Sequence, residues 1–127
     1  MKYLLDTHIW LWWLLDSPKL PVEAKTLIAN EKNTIYVSTA SLWEIRIKQQ
    51  IGKIELPENF AEDINHSDFI NLPITFEHVN TLVHFPLHHH DPFDRLLIAQ
   101  AYYEHLILLT KDKMLEHYEV PMILFRD

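Results

Sequence analysis

Residues 91–112 read Asp91-Pro92-Phe93-Asp94-Arg95-Leu96-Leu97-Ile98-Ala99-Gln100-Ala101-Tyr102-Tyr103-Glu104-His105-Leu106-Ile107-Leu108-Leu109-Thr110-Lys111-Asp112. Asp91 is a good helix N-cap, proline suits the first helical position, and the apolar spacing carries a helix to Glu104. Residues 106–109 form a continuous apolar run of strand length. Asp112 stands just beyond it. A helix that feeds a buried strand with an acid past its end is the building unit of a parallel α/β sheet.

The same grammar extends outward. Residues 2–5 read as a short buried strand with Asp6 directly after it, and residues 9–15 as a helix apolar nearly all round. Pro18 and Pro21 mark a turn, and residues 22–30 form a helix with Ala24, Leu27 and Ile28 inward. Residues 34–37 are a β-branched and aromatic strand, and Ser38-Thr39 caps a helix that runs to about Ile51 and stops at Gly52. A helix over 57–65, a short strand over 69–72 and a helical stretch from Thr75 to Pro86 follow. Residues 113–118 read as a short helix and 122–125 as a last strand. Strands alternating with helices predict an α/β domain, a central mostly parallel β-sheet flanked by α-helices.

The 127 residues suit one domain, 1–127, and no linker or repeat divides it. A single glycine excludes Gly-rich phosphate loops and dinucleotide fingerprints, which need several. The absence of cysteine excludes thiolate metal sites, disulfides and a thiol nucleophile. The net charge of -7 argues against a protein that grips nucleic acid by charge alone. It leaves open an enzyme acting on nucleic acid, because an acid cluster loses its negative character when loaded with cations. The apolar run 9–15 is too short to span a bilayer, and no cleavage site follows the N-terminus. A soluble, cytoplasmic protein is the expectation.

Parallel sheets bind ligands beyond the carboxyl ends of their strands. Asp6 and Asp112 follow strands, Glu44 lies in the second turn of the helix after residues 34–37, and Asp94 lies in the first turn of its helix. Topology thus brings four acids to one rim. Crowded carboxylates repel unless protons or cations intervene, and hard oxygen donors suit Mg2+ or Mn2+. Such ions activate water and offset charge at phosphorus, so phosphodiester hydrolysis is the natural chemistry. Blander roles stand beside this. Capping accounts for Asp91 and can account for Asp94 and Asp6; Glu44 and Lys48 can be an i,i+4 pair; Asp112 alone can be a turn residue.

The segments Leu4-Leu5-Asp6-Thr7, Ser38-Thr39-Ala40-Ser41-Leu42-Trp43-Glu44-Ile45, Asp91 to Ala101 and Leu109-Thr110-Lys111-Asp112 occur in this order. Together they closely resemble the motifs of PIN-domain nucleases, especially the VapC-like toxins of bacterial toxin–antitoxin pairs, over essentially the whole chain. The resemblance implies the PIN fold and Mg2+- or Mn2+-dependent cleavage of RNA. It implies Asp6, Glu44 and Asp94 as core metal ligands, with Asp112 completing the site. Thr7 and Thr110, with Ser38, would orient the carboxylates. A cognate antitoxin protein and a homodimer are further implications. His90 departs from the pattern, since arginine or another residue is expected there more often.

Arg95 is positioned to reach a scissile phosphate or to pair with a neighbouring acid. Lys48, Lys111 and Lys113 are further phosphate candidates. The run His88 to His90 is read as a loop bordering the site; three consecutive side chains in extended chain rarely converge on one ion. Trp10, Trp12, Trp13 and Trp43 can stack on bases, with Trp10 and Trp13 better read as core. Two rival readings exist: a PIN-like module that binds RNA or protein without cleaving, and a haloacid-dehalogenase-like phosphatase. The second wants another Asp two residues after Asp6, where His8 stands.

Overall fold

The computed structural model describes residues 1–87 and 90–126; His88 and His89, and with them most of the histidine loop, lie outside the described residues. Five strands form one sheet: β1 (Lys2–Leu5), β2 (Thr34–Ser38), β3 (Ile70–Leu72), β4 (Ile107–Thr110) and β5 (Met122–Leu124). Their order is β3-β2-β1-β4-β5 and every pairing is parallel, so the sheet is parallel throughout. The helices are α1 (Thr7–Leu14), α2 (Val22–Ala29), α3 (Thr39–Gln50), α4 (Phe60–Asn65), α5 (Phe76–Thr81) and α6 (Pro92–Glu104).

Side-chain alternation on the strands splits the core into two layers. Tyr3 and Leu5 of β1, Ile35 and Val37 of β2 and Leu109 of β4 face one layer, filled by Ile9 and Trp10 of α1, Ile45 of α3 and Phe60. Leu4 and Leu108 face the other, against Leu97, Ile98 and Ala101 of α6. Each central strand is buried on both faces, which is why it reads as an unbroken apolar run rather than an alternating one.

Several boundaries differ from those read in the sequence, and each has a local cause. α1 starts at Thr7, earlier than residue 9, because the Asp6 side chain accepts from Ile9 N–H and caps it. The stretch after Thr75 breaks in two: α5, then a 3-10 turn over Leu82–His84 that leads into extended Phe85 before Pro86. A residue before proline avoids the helical region, so the helix tightens and ends. α4 begins at Phe60 rather than Pro57, and residues 113–118 supply only a 3-10 turn, Lys113–Leu115. Trp10 is buried as expected, whereas Trp13 is only partly buried, its ring 5.9 Å from that of Phe69. Among the described residues, no helix is long and apolar enough to cross a membrane.

Candidate active site

β1 is the central strand, with β2 on one side and β4 on the other. The chain builds outward from it to β2 and β3 on one side and then crosses to β4 and β5 on the other. Such a reversal of strand order marks the carboxyl end of β1 as the place where these sheets bind ligands. Asp6 extends β1 at that end, its N–H donating to the Leu109 carbonyl at 3.0 Å. The β1–β4 register pairs Leu5 with Leu109, so the next step sets Asp6 beside Thr110. The Thr110 hydroxyl donates to Asp6 Oδ2, while Ile9 N–H donates to Oδ1 at 2.9 Å. Thr110 Oγ1 also accepts from the Asp112 N–H at 3.0 Å. A single buried hydroxyl therefore joins the acid after β1 to the loop after β4.

The other acids arrive on helices. Ser38 ends β2 and caps α3 through Ala40 N–H, which sets Glu44 just over one turn into the helix. Glu44 is buried; Oε2 pairs with Lys48 Nζ at 2.9 Å, while Oε1 has no hydrogen-bond partner among the described residues. The i,i+4 pair expected with Lys48 exists, but on a buried carboxylate rather than a solvated face. Asp91 caps α6, accepting from Phe93 N–H at 2.9 Å and Asp94 N–H at 3.2 Å, so capping falls to Asp91 and not to Asp94. Asp112 accepts from Met114 N–H at 2.9 Å at the start of its 3-10 turn.

Electrostatics tie these groups together. Burial pushes the Asp94 carboxyl up to about 8, and the negative charges of Asp91, Asp6, Glu44 and Asp112 push the same way. Asp6 is also raised, by burial first, with hydrogen bonds from Ile9 and Thr110 opposing. Four acids from four segments thus lie within reach of one another's field, and the site disfavours its own negative charge. Among the described residues no three His, Asp or Glu side chains are gathered closely enough to hold a metal ion by themselves. The donor set nonetheless fits a hard divalent cation. Mg2+ keeps several waters and needs only one or two carboxylates plus substrate phosphate, and Glu44 Oε1 is a desolvated acceptor without a donor.

Other expected residues fall differently. Thr7 Oγ1 donates to Ser41 Oγ at 3.0 Å rather than to a carboxylate. Ser38 Oγ donates to Gln100 Oε1 at 2.6 Å, and the Gln100 amide in turn donates to the Pro73 carbonyl at 3.3 Å. Gln100, fully buried, is the residue that sequence reasoning missed; its signal was a polar side chain on the apolar face of α6. Arg95 Nη2 donates to the Phe85 carbonyl at 3.2 Å, and its Nε is buried without a partner among the described residues. Trp43 is exposed and meets Phe93 edge to face at 5.2 Å, beside Glu44 and Asp94 in the chain.

The fold and rim define an α/β domain with a cluster of acids at the carboxyl edge of a parallel sheet. The sequence profile of the PIN domain matches residues 3–121, and the chain belongs to that family, whose members are generally nucleases. No curated protein matches in sequence. Among solved structures it is similar to VapBC2 from Rickettsia felis bound to a DNA fragment from their promoter. There the TM-score is 0.75 and the identity 19%, over 99% of this chain and 100% of that one. It is similar also to DNA-bound VapBC from Salmonella typhimurium, at TM-score 0.72 and 15% identity over 97% of each chain. FitAcB from Neisseria gonorrhoeae gives 0.71 and 16%, over 95% of this chain and 96% of that one. At such identities these likenesses speak for the fold.

Proposed function

We propose that the chain is an Mg2+- or Mn2+-dependent endoribonuclease, the toxin of a toxin–antitoxin pair held inactive by a cognate antitoxin protein. The observation that carries this reading is the desolvated Asp94 carboxyl, raised to about 8 beside Asp6, Glu44 and Asp112. A site that concentrates buried negative charge is costly unless cations or protons offset it, and PIN relatives supply the nuclease context.

In this proposal Asp6, Glu44 and Asp94 hold the cation, and Asp112 completes the site. The cation, when bound, supplies Lewis acidity at phosphorus and an activated water. The chain's own residues do the rest. Thr110 fixes the rotation of the Asp6 carboxylate, and the Lys48 ammonium, paired with Oε2 at 2.9 Å, holds the Glu44 carboxylate in place. Arg95 is the cation next to Asp94 in the chain; the Phe85 carbonyl engages one nitrogen of its five-donor fork, and another can meet the substrate phosphate. The complexes named above, VapBC2 and VapBC, motivate the antitoxin partner. A homodimer belongs to the same proposal, and Phe76 and Val83, 88% and 82% exposed, are apolar surface that pairing would cover.

The test replaces Asp6 or Asp94 with asparagine and measures RNA cleavage with Mn2+. Each change is expected to lower the rate at least about a hundredfold, the scale of losing electrostatic stabilisation of charge at phosphorus. Full activity in both variants would sink the model. Failure of the antitoxin-free wild type to cleave any RNA with any divalent ion would favour the non-cleaving binder.

A further inference from the structure

A cavity of about 860 Å³ opens at the amino ends of β2 and β3 and carries Glu31, Asp63 and Asp68 in its wall. It lies at the edge of the sheet opposite Asp6, and its acids repel phosphate. A second cavity, about 280 Å³, lies between α1 and α3, and its wall includes Thr7, His8, Trp12, Lys19, Ile45 and Lys48. Two of its wall residues adjoin the carboxylates. Thr7 follows Asp6 in the chain, and Lys48 Nζ is the group 2.9 Å from Glu44 Oε2.

Its chemistry is the reverse of the chain's average. Acidic residues outnumber basic ones 18 to 11, yet no Asp or Glu stands among the described residues of this wall. Lys111, beside Asp112, places Nζ 6.0 Å from the centroid of the Trp12 ring, and the His8 ring lies 5.8 Å from the same indole. Trp12 is half-buried: it packs against the core and also lines the cavity. Core packing accounts for its buried side. It gives no reason for a lysine to stand over its ring. An aromatic face with lysines about it is how single strands are held without sequence readout, the base stacking and the cations following the backbone. The volume falls just under the roughly 300–1,000 Å³ of pockets for drug-sized ligands, which suits one nucleotide and not several.

We propose that this cavity is a nucleotide subsite flanking the scissile phosphate, with one base of a single-stranded RNA stacked on Trp12 and its phosphate against Lys19 and Lys48. The assignment of RNA rests on the ribonuclease reading above. Substrate would then cross the rim from α1 toward Asp94, and a base-paired strand, whose bases are already stacked, would lose this contact.

The test uses the full chain, 15N-labelled and kept in EDTA so that nothing is cleaved. Nucleoside monophosphates, nucleosides and inorganic phosphate are titrated separately while the tryptophan indole resonances are followed, and Trp12→Leu identifies the Trp12 signal by removing it. Monophosphates are expected to shift that signal saturably, nucleosides more weakly, and phosphate not at all. Trp12→Leu is expected to weaken binding of a short single-stranded RNA by roughly 5- to 150-fold, the range carried by one base–aromatic stack, while Trp12→Phe restores most of it. Lys19→Glu, on an exposed side chain clear of the core, is expected to weaken binding and flatten its salt dependence.

An indole that stays still, an equal response to inorganic phosphate, or RNA cleavage by Trp12→Leu with unchanged KM each overturns the subsite. So does loss of antitoxin binding in Trp12→Leu with nucleotide binding intact, which would make the cavity a protein-docking site. A shifted Trp12 signal in a protein that cleaves no RNA supports the subsite while the ribonuclease reading falls. Cleavage with an unresponsive Trp12 overturns the subsite alone.

Discussion

Thr110 is the residue on which the geometry of the rim turns. Its buried hydroxyl donates to Asp6 and accepts from the Asp112 N–H, so one oxygen holds two loops. Thr110→Val keeps the shape and deletes both bonds. Leaving partly buried groups unpaired is expected to lower stability by about 1–3 kcal/mol in urea denaturation. Losing the hydrogen bond also lets the Asp6 pKa climb further, since Thr110 is among the groups holding it down. RNA cleavage is expected to fall with Thr110→Val and to survive in Thr110→Ser; wild-type cleavage by the valine variant would remove the positioning role. Thr110 is named as an orienting residue only by the resemblance to PIN motifs; the strand read in the sequence stops at Leu109, and it is the β1–β4 register that sets Thr110 beside Asp6. For Ser38 even the partner was not legible. Its choice of Gln100, 62 residues away, depends on how α6 rotates over β2, and periodicity says nothing of partners across that distance. Asp91 was separable from Asp94 by the rules of helix starts alone.

Helix ends show the same division between local and tertiary causes. α3 closes with Ile51 and then Gly52 at φ 77°, and α6 closes on His105 at φ 57°. The glycine was readable as a stop, because only glycine enters that backbone region without cost. The left-handed histidine was not, and the strand boundary at Ile107 moved with it. Opposite outcomes are expected at the two caps. A Cβ at Gly52 meets nothing within 4 Å, so Gly52→Ala carries only the backbone penalty, about 1 kcal/mol of lost stability. His105 is exposed and already strained, so His105→Gly is expected to raise stability by roughly 0.5–1 kcal/mol. Urea midpoints with an unchanged m-value would measure both. A loss of stability in His105→Gly would mean that the imidazole makes a compensating contact. The central strands were legible for a simpler reason: buried on both faces, they leave short apolar runs of strand length. Helices held by one or two turns of packing, such as α4 and α5, leave no such mark.

For the whole molecule, the acid cluster links folding, pH and cation binding. Asp94 titrates at about 8 in the fold and at 3.8 in an ordinary setting. Between these values the folded chain holds a proton that the unfolded chain has released. By linkage, stability from this group is fully present below the lower value, falls as pH rises, and levels off above the upper one. Asp6, also raised, acts with the same sign. In EDTA the Tm is therefore expected to decline as pH goes from about 5 to about 8. The informative quantity is the difference between wild type and Asp94→Asn, in which contributions from all other groups cancel. That variant is expected to lose much of the decline, since its amide neither titrates nor repels. Mn2+ replaces the proton as the neutralising charge, so its stabilisation of the wild type is expected to grow with pH and to be largest where Asp94 is ionised. In Asp94→Asn the ion is expected to bind weakly and the pH dependence of its effect to flatten. Parallel Tm curves for the two proteins, with and without Mn2+, would detach Asp94 from both the proton and the ion. Curves that converge near pH 5 and part toward pH 8, as linkage requires, would make the raised carboxyl the point where the fold gives up stability for a cation seat.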